Sequence, residues 1–107
     1  MNTSLYGTSM ALTVALLAHP DAAHAQRTKQ WGADWSRCIS HDQGGFHNRC
    51  TQSMEVFWLD TGGHKNQVTI RANGTYPGGS PPAEIFACLS DQGNRFDWDA
   101  RRCWYWE

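Results

Sequence analysis

Residues 38–50 read CISHDQGGFHNRC, and residues 88–103 read CLSDQGNRFDWDARRC. Both run from Cys through Ile or Leu and Ser to Asp-Gln-Gly, then Phe, then Arg-Cys. Each reads as a strand, a turn at Asp-Gln-Gly and a returning strand that closes on the second cysteine. Glycine suits such turns because it takes the left-handed backbone that other residues resist. The echo reads as a duplicated unit and predicts two stapled hairpins, Cys38–Cys50 and Cys88–Cys103. In the first, Cys38 opposite Cys50 sets Asp42 opposite Phe46 and leaves Gln43-Gly44-Gly45 as the loop. In the second, Cys88 opposite Cys103 centres the turn between Arg95 and Phe96, past the glycine, and requires a bulge or a longer loop. Four cysteines permit three connectivities. The nearest competitor ties Cys38 or Cys50 to Cys88 and staples two sheets together.

The remaining chain extends this strand-and-turn pattern. After residue 26 there is no sustained 3.6-residue apolar period. Short runs rich in β-branched and aromatic residues alternate with Gly, Asn, Asp and Pro. The expected strands are Trp35–Ser40, Phe46–Thr51, Met54–Asp60, Gln67–Ala72, Glu84–Ser90 and Trp98–Trp106. Val68 and Ile70 fall on one face and Thr69 and Arg71 on the other, as in a half-buried strand. Asn73-Gly74 suits a tight turn with positive φ. PGGSPP at 77–82 cannot lie in a central strand, because proline lacks the donor N–H. LDTGGHKN at 59–66 reads as a polar loop, and QRTKQWGAD at 26–34 as a polar lead-in. The expected fold is all-β: a small antiparallel sandwich or barrel of about six short strands with two disulfides.

That domain follows a different kind of segment. Residues 10–18, MALTVALLA, form an apolar run too short for a bilayer span, which needs about 20 residues. With AHA at 23–25 they read as a signal-peptide core and an A-x-A cleavage site, although MNTSLYGTS lacks the usual positive charge. The expected division is a cleaved signal helix over 1–25 and a β domain over 26–107, a mature length of 107 − 25 = 82 residues. A domain of that size buries too little surface to be comfortably stable alone, and even-numbered cysteines in a short exported chain suit disulfides. Loops of about 12–15 residues closed this way contribute roughly 3 kcal/mol each. The expected location is periplasmic or secreted. Removing residues 1–25 discards Asp21 and no Lys or Arg, so the side-chain charge becomes 9 − 9 = 0. A neutral chain with dispersed basic residues predicts no nucleic-acid partner, and no mature segment suits a membrane span.

NRC at 48–50, MEVFW at 54–58, TYPGG at 75–79 and IFAC at 85–88 carry a resemblance. They resemble small secreted bacterial cysteine-containing proteins of unknown function, with an Asn-x-Cys, a Val-x-Trp strand, a Pro-Gly turn and an Ala-Cys strand. The resemblance covers residues 38–88. In those proteins a cysteine often follows the Trp, whereas Leu59 stands here, which bears on the pairing. No activity is implied.

The chemistry-bearing residues exclude more than they propose. His41, His47 and His64, with Asp42, show none of the usual metal-ligand spacings, so no metal and no cofactor are expected. No Gly-x-Ser-x-Gly elbow occurs, and oxidised cysteines cannot act as thiolates. Asp97 and Asp99 flank Trp98. On a strand they share a face at about 7 Å, a glycosidase-like spacing, but Arg95, Arg101 and Arg102 nearby suit an ordinary charged face. The tail RRCWYWE is the most distinctive stretch. On a strand, Trp98, Ala100, Arg102, Trp104 and Trp106 point one way, and Asp99, Arg101, Cys103 and Tyr105 the other. If Cys103 faces inward, the Trp face is outside and can stack on sugar rings or a protein. Alternatively the tryptophans join Trp31, Trp35 and Trp58 in the core, which the scarcity of Leu, Ile and Val after residue 26 favours.

The leading expectation is a non-catalytic binding module for an envelope glycan or a protein, using Trp98, Trp104, Trp106 and Arg102. One alternative is a secreted inhibitor or effector presenting Asp42–Phe46 or Asp91–Asp97, with Gln43 and Gln92 at the tips. The other is a weak glycosidase-like enzyme using Asp97 and Asp99.

Overall fold

The computed structural model describes residues 27–107. The expected signal segment over 1–25 lies outside them. Nine strands are present among the described residues, with no α-helix: β1 (Lys29–Trp31), β2 (Ile39–Asp42), β3 (Gly45–Asn48), β4 (Met54–Asp60), β5 (Lys65–Ile70), β6 (Thr75–Tyr76), β7 (Pro82–Leu89), β8 (Arg95–Asp97) and β9 (Arg102–Trp106). They form three antiparallel three-stranded sheets, in the orders β1-β9-β8, β2-β3-β6 and β5-β4-β7.

MEVFWLD makes β4 the centre of this arrangement, because it is apolar on both faces. Met54, Val56 and Trp58 point one way, where they meet Ile39 of β2, Phe46 of β3, Ile70 of β5 and Ala87 and Leu89 of β7. Phe57 points the other way, toward Phe86 and Cys88 of β7, Phe96 of β8 and Cys103 of β9. The sheet β5-β4-β7 is therefore a middle layer with one outer sheet on each face. Phe57 stacks on Phe96 at 4.6 Å, and Trp58 lies 4.4 Å from Phe46. These aromatic contacts fill the core that the few aliphatic residues leave open.

Both disulfides are present as Cys38–Cys50 and Cys88–Cys103. Their settings differ from the two-hairpin expectation. Cys38–Cys50 does close the β2-β3 hairpin. Its register is one residue tighter, with Asp42 opposite Gly45 and His41 opposite Phe46, so only Gln43-Gly44 form the loop. Asp42 Oδ1 accepts the Gly44 N–H at 2.7 Å and closes the turn early. Gly45 then adopts φ +110 where it runs against the backbone of Tyr76 and Pro77. Cys88–Cys103 does not close a hairpin. It joins β7 of the middle layer to β9 of an outer sheet, and the local hairpin is instead β8-β9, with Arg95 opposite Trp104.

The other differences have local causes. Residues 36–38 form a short 3-10 turn, and β2 begins only at Ile39. Residues 98–101 form a turn, not a strand. Asp97 Oδ1 accepts the Ala100 N–H at 2.9 Å, and Arg101 takes φ +58. QRTKQWGAD contains a strand after all, because Lys29–Trp31 pair with the tail. β3 ends at Asn48 instead of Thr51, β5 runs from Lys65 to Ile70 instead of Gln67 to Ala72, and Thr75–Tyr76 add an unexpected strand, β6, on β3. Met54–Asp60 is a strand with the expected bounds, Asn73 has φ +56 in its turn, and Pro82 opens the edge strand β7.

Polar side chains secure the loops. Asp60, only 7% exposed, accepts the backbone N–H groups of Gly62 at 3.0 Å and His64 at 2.8 Å, and the Ser80 hydroxyl at 2.9 Å. The His64 N–H bond, with Ser80 and Asn66, holds its carboxyl well below the usual carboxylate range, against the opposing effect of burial. Buried Asn48 donates from Nδ2 toward the carbonyls of Gln52, Ile70 and Arg71 and accepts the Cys50 N–H on Oδ1. The Asn-x-Cys spacing thus has a physical use: it fixes the backbone entering the disulfide.

Candidate functional site: the outer face of the β1-β9-β8 sheet

Alternation along β9 decides which tail residues reach solvent. Cys103 is 4% exposed, tied to Cys88 and packed in the second core cluster. Successive strand residues point to opposite faces, so Arg102, Trp104 and Trp106 face outward. Antiparallel pairing adds neighbours to that face: Trp31 opposite Trp104, Lys29 opposite Trp106, Arg95 opposite Trp104 and Asp97 opposite Arg102.

The face is an interleaved set of rings and cations. Trp31 is 42% and Trp106 41% exposed, and Trp104 is half-buried between them. Lys29 Nζ lies 4.7 Å from the ring centroids of both Trp31 and Trp104. Arg102 lies 4.5 Å from Trp31, Arg95 5.6 Å from Trp104 and Arg27 5.1 Å from Trp106. Trp104 and Trp106 meet edge to face, with centroids 5.2 Å apart at 89°. Cation–ring contacts at exposed sites contribute about 0.5–1 kcal/mol each, which biases the long side chains toward the rings. Beside this face opens a cleft of about 620 Å³ that Trp31 shares with Trp35, Leu89 and Tyr105.

Of the residues expected here, Trp104, Trp106 and Arg102 come together and Trp98 does not. Trp98 lies in the β8-β9 turn and packs edge-on against Phe57, Phe86 and Phe96, on the inner side of the layer. Trp31 takes its place. Sequence reasoning also missed Arg27, Lys29 and Arg95. The signal was present, since Arg27, Lys29 and Trp31 recur at a spacing of two, the period of one strand face.

The tryptophans therefore divide between core and surface. Trp58 is core, Trp35 and Trp98 pack against the two apolar clusters, and Trp31 and Trp106 are exposed.

The other candidate groups are distributed differently. Asp97 accepts from Ala100 N and lies 3.4 Å from Lys29 Nζ, and these interactions, the Ala100 bond first, lower its pKa. A glycosidase acid needs the opposite shift, and Asp99 sits in the turn, not beside Asp97 on a strand face. At 42–46, Asp42, Gln43 and Gly44 are exposed at the hairpin tip, while Gly45 and Phe46 are buried in β3. Asp91–Gln92 belong to a short 3-10 turn that leads into β8. His41 packs on Phe46 at 4.6 Å, on the core side of the β2-β3 pair. His47 lies on the other side, and His64 sits against Asp60.

His47 bridges Asp42 Oδ1 at 2.8 Å and Thr75 Oγ1 at 3.0 Å, superficially a carboxylate–imidazole–hydroxyl relay. The Asp42 side chain is 67% exposed, so its field is screened by water. The relay acts as a clip that ties the β2-β3 turn to β6. The His47 contact, then the Gly44 N–H, lowers the Asp42 pKa.

Comparison with protein-family models, with curated proteins and with solved structures yields no match to this chain.

Proposed function

We propose that this chain is a non-catalytic binding module of the periplasm or the exterior, and that the outer face of the β1-β9-β8 sheet grips a carbohydrate polymer of the cell envelope. Its two disulfides suit an oxidising compartment. The observation that carries the reading is the placement of Trp31, Trp104 and Trp106 on one face of a sheet whose other face is anchored by Cys103 and Phe96. Folding normally covers large apolar rings, so three on one outward face invite a partner. Tryptophan faces pack against the C–H faces of sugars while the indole N–H reaches their hydroxyls. A rigid, paired strand presents the rings with little ordering left to do on binding.

The test is depletion of the oxidised protein by insoluble peptidoglycan, chitin, cellulose and gelled polygalacturonate. Wild type is expected to be retained by at least one polymer. A Trp31→Ala, Trp106→Ala double variant is expected to stay in solution while melting within a few degrees of wild type. Retention of neither protein on any polymer, or equal retention of both, overturns the reading.

A further inference from the structure

Resting on that reading, we infer that the polymer is acidic: a glycan bearing carboxylate or phosphate groups on its sugar units. The neutrality of residues 27–107 conceals a strong asymmetry. The outer face of β1-β9-β8 holds Arg27, Lys29, Arg95 and Arg102 against one carboxylate, Asp97, so its side chains sum to 4 − 1 = +3. The rest of residues 27–107 holds five Lys or Arg and eight Asp or Glu, 5 − 8 = −3. Among the described residues, Lys29 alone of the four cations is ion-paired. Arg27, Arg95 and Arg102 have rings, not carboxylates, as their close companions.

This arrangement selects between ligands. A neutral sugar that stacks on these rings must displace cations lying 4.5–5.6 Å from the ring centroids and gains nothing from their charge. An acidic sugar draws each cation onto its own carboxylate or phosphate as it uncovers the ring, exchanging one charge contact for a stronger, charge-assisted one. The ring geometry favours a glycan over single-stranded nucleic acid. Successive bases stack in parallel, whereas Trp104 and Trp106 stand at 89° to each other, a better match to sugar units that turn along a chain. An oxidising compartment also favours envelope polymers over nucleic acid.

The experiment is titration calorimetry of the oxidised protein with soluble polygalacturonate and with its fully methyl-esterified form, at 50 and 200 mM salt. Polygalacturonate is expected to bind at least tenfold more tightly than the ester. Releasing about three counterions predicts a fall in affinity on the order of tenfold between the two salt concentrations. Arg102→Gln and Lys29→Gln are each expected to weaken polygalacturonate binding several-fold, and Arg49→Gln, in the loop after β3, to leave it unchanged. Equal binding of the two polymers overturns the acidic inference and leaves the binding module standing. Binding of neither overturns the acidic inference, and the binding module is then decided by depletion on peptidoglycan, chitin and cellulose. Tighter binding of poly(dT), or of phosphatidylglycerol vesicles, than of polygalacturonate assigns the face to a nucleic acid or a lipid surface and also overturns the inference.

Discussion

Replacing Cys88 and Cys103 together by alanine tests the layered architecture. The bridge spans 15 residues of sequence, and in the chain-entropy model a loop of that length stabilises by about 3 kcal/mol. The Cys38–Cys50 bridge spans 12, which predicts nearly the same entropic contribution, also about 3 kcal/mol. The surroundings differ in degree: Cys38 is 1% exposed but its partner Cys50 is only partly buried, so one sulfur-sized void opens there instead of two. Cys88 and Cys103 are 0% and 4% exposed and sit among Phe57, Phe86 and Phe96, so two sulfur-sized voids add about 1 kcal/mol. The Cys88→Ala, Cys103→Ala protein should therefore lose about 4 kcal/mol, or about 15–30 °C in Tm for a domain of this size. The location of the loss matters more. Cys88–Cys103 is the covalent tie between the middle layer and β9, so amide exchange should accelerate in β1 and β9 well before β4. A Cys38→Ala, Cys50→Ala protein should lose about 3–3.5 kcal/mol, with β1 and β9 still exchanging together with β4. Urea unfolding and residue-resolved hydrogen exchange on both variants read these outcomes. Equal losses, with β9 protection following β4 in both, would refute the inter-sheet role. Complete unfolding of the first variant at low temperature would refute the 4 kcal/mol accounting.

Two further predictions concern the loops. Gly45→Ala places a Cβ onto the Tyr76 carbonyl oxygen at a φ of +110, so it should cost more than about 2 kcal/mol and detach β6, whereas Gly63→Ala, in open space at φ +86, should cost about 1 kcal/mol. Comparable urea midpoints for the two variants would contradict this. Asp60, Asp42 and Asp97 all have pKa values below the ordinary 3.8, so their stabilising contribution is full above that value and is lost as pH falls through the lower folded values. Acid titration followed by tryptophan emission should show stability declining below about pH 4, with a weaker dependence in Asp60→Asn. A flat profile down to pH 2 would remove the assignment.

Legibility followed how local the cause was. Met54–Asp60 was readable to the residue because both its faces are apolar and Thr61-Gly62-Gly63 ends it. The sequence suggests a strand over Trp98–Trp106 because residues 98–101 mix Trp, Asp, Ala and Arg as a strand does. The turn depends on one hydrogen bond, from Ala100 N to Asp97, and on a positive φ at Arg101. β1 carries no propensity signal in its three polar-flanked residues, its one cue is the two-residue spacing of Arg27, Lys29 and Trp31, and pairing with the tail makes it extended.

The sequence by itself determined that strands would dominate, that four cysteines would pair without saying which with which, and that Trp104 and Trp106 would turn outward if Cys103 turned inward. All three follow from composition, spacing and the two-residue period of a strand. Tertiary structure alone decided which ring completes the aromatic face, that Cys88–Cys103 joins two layers, and that four of the nine basic residues collect on one surface. Net charge is a sum and is blind to position. A charged face forms only when strands distant in sequence, here β1, β8 and β9, are paired in register by a core that buries their other side.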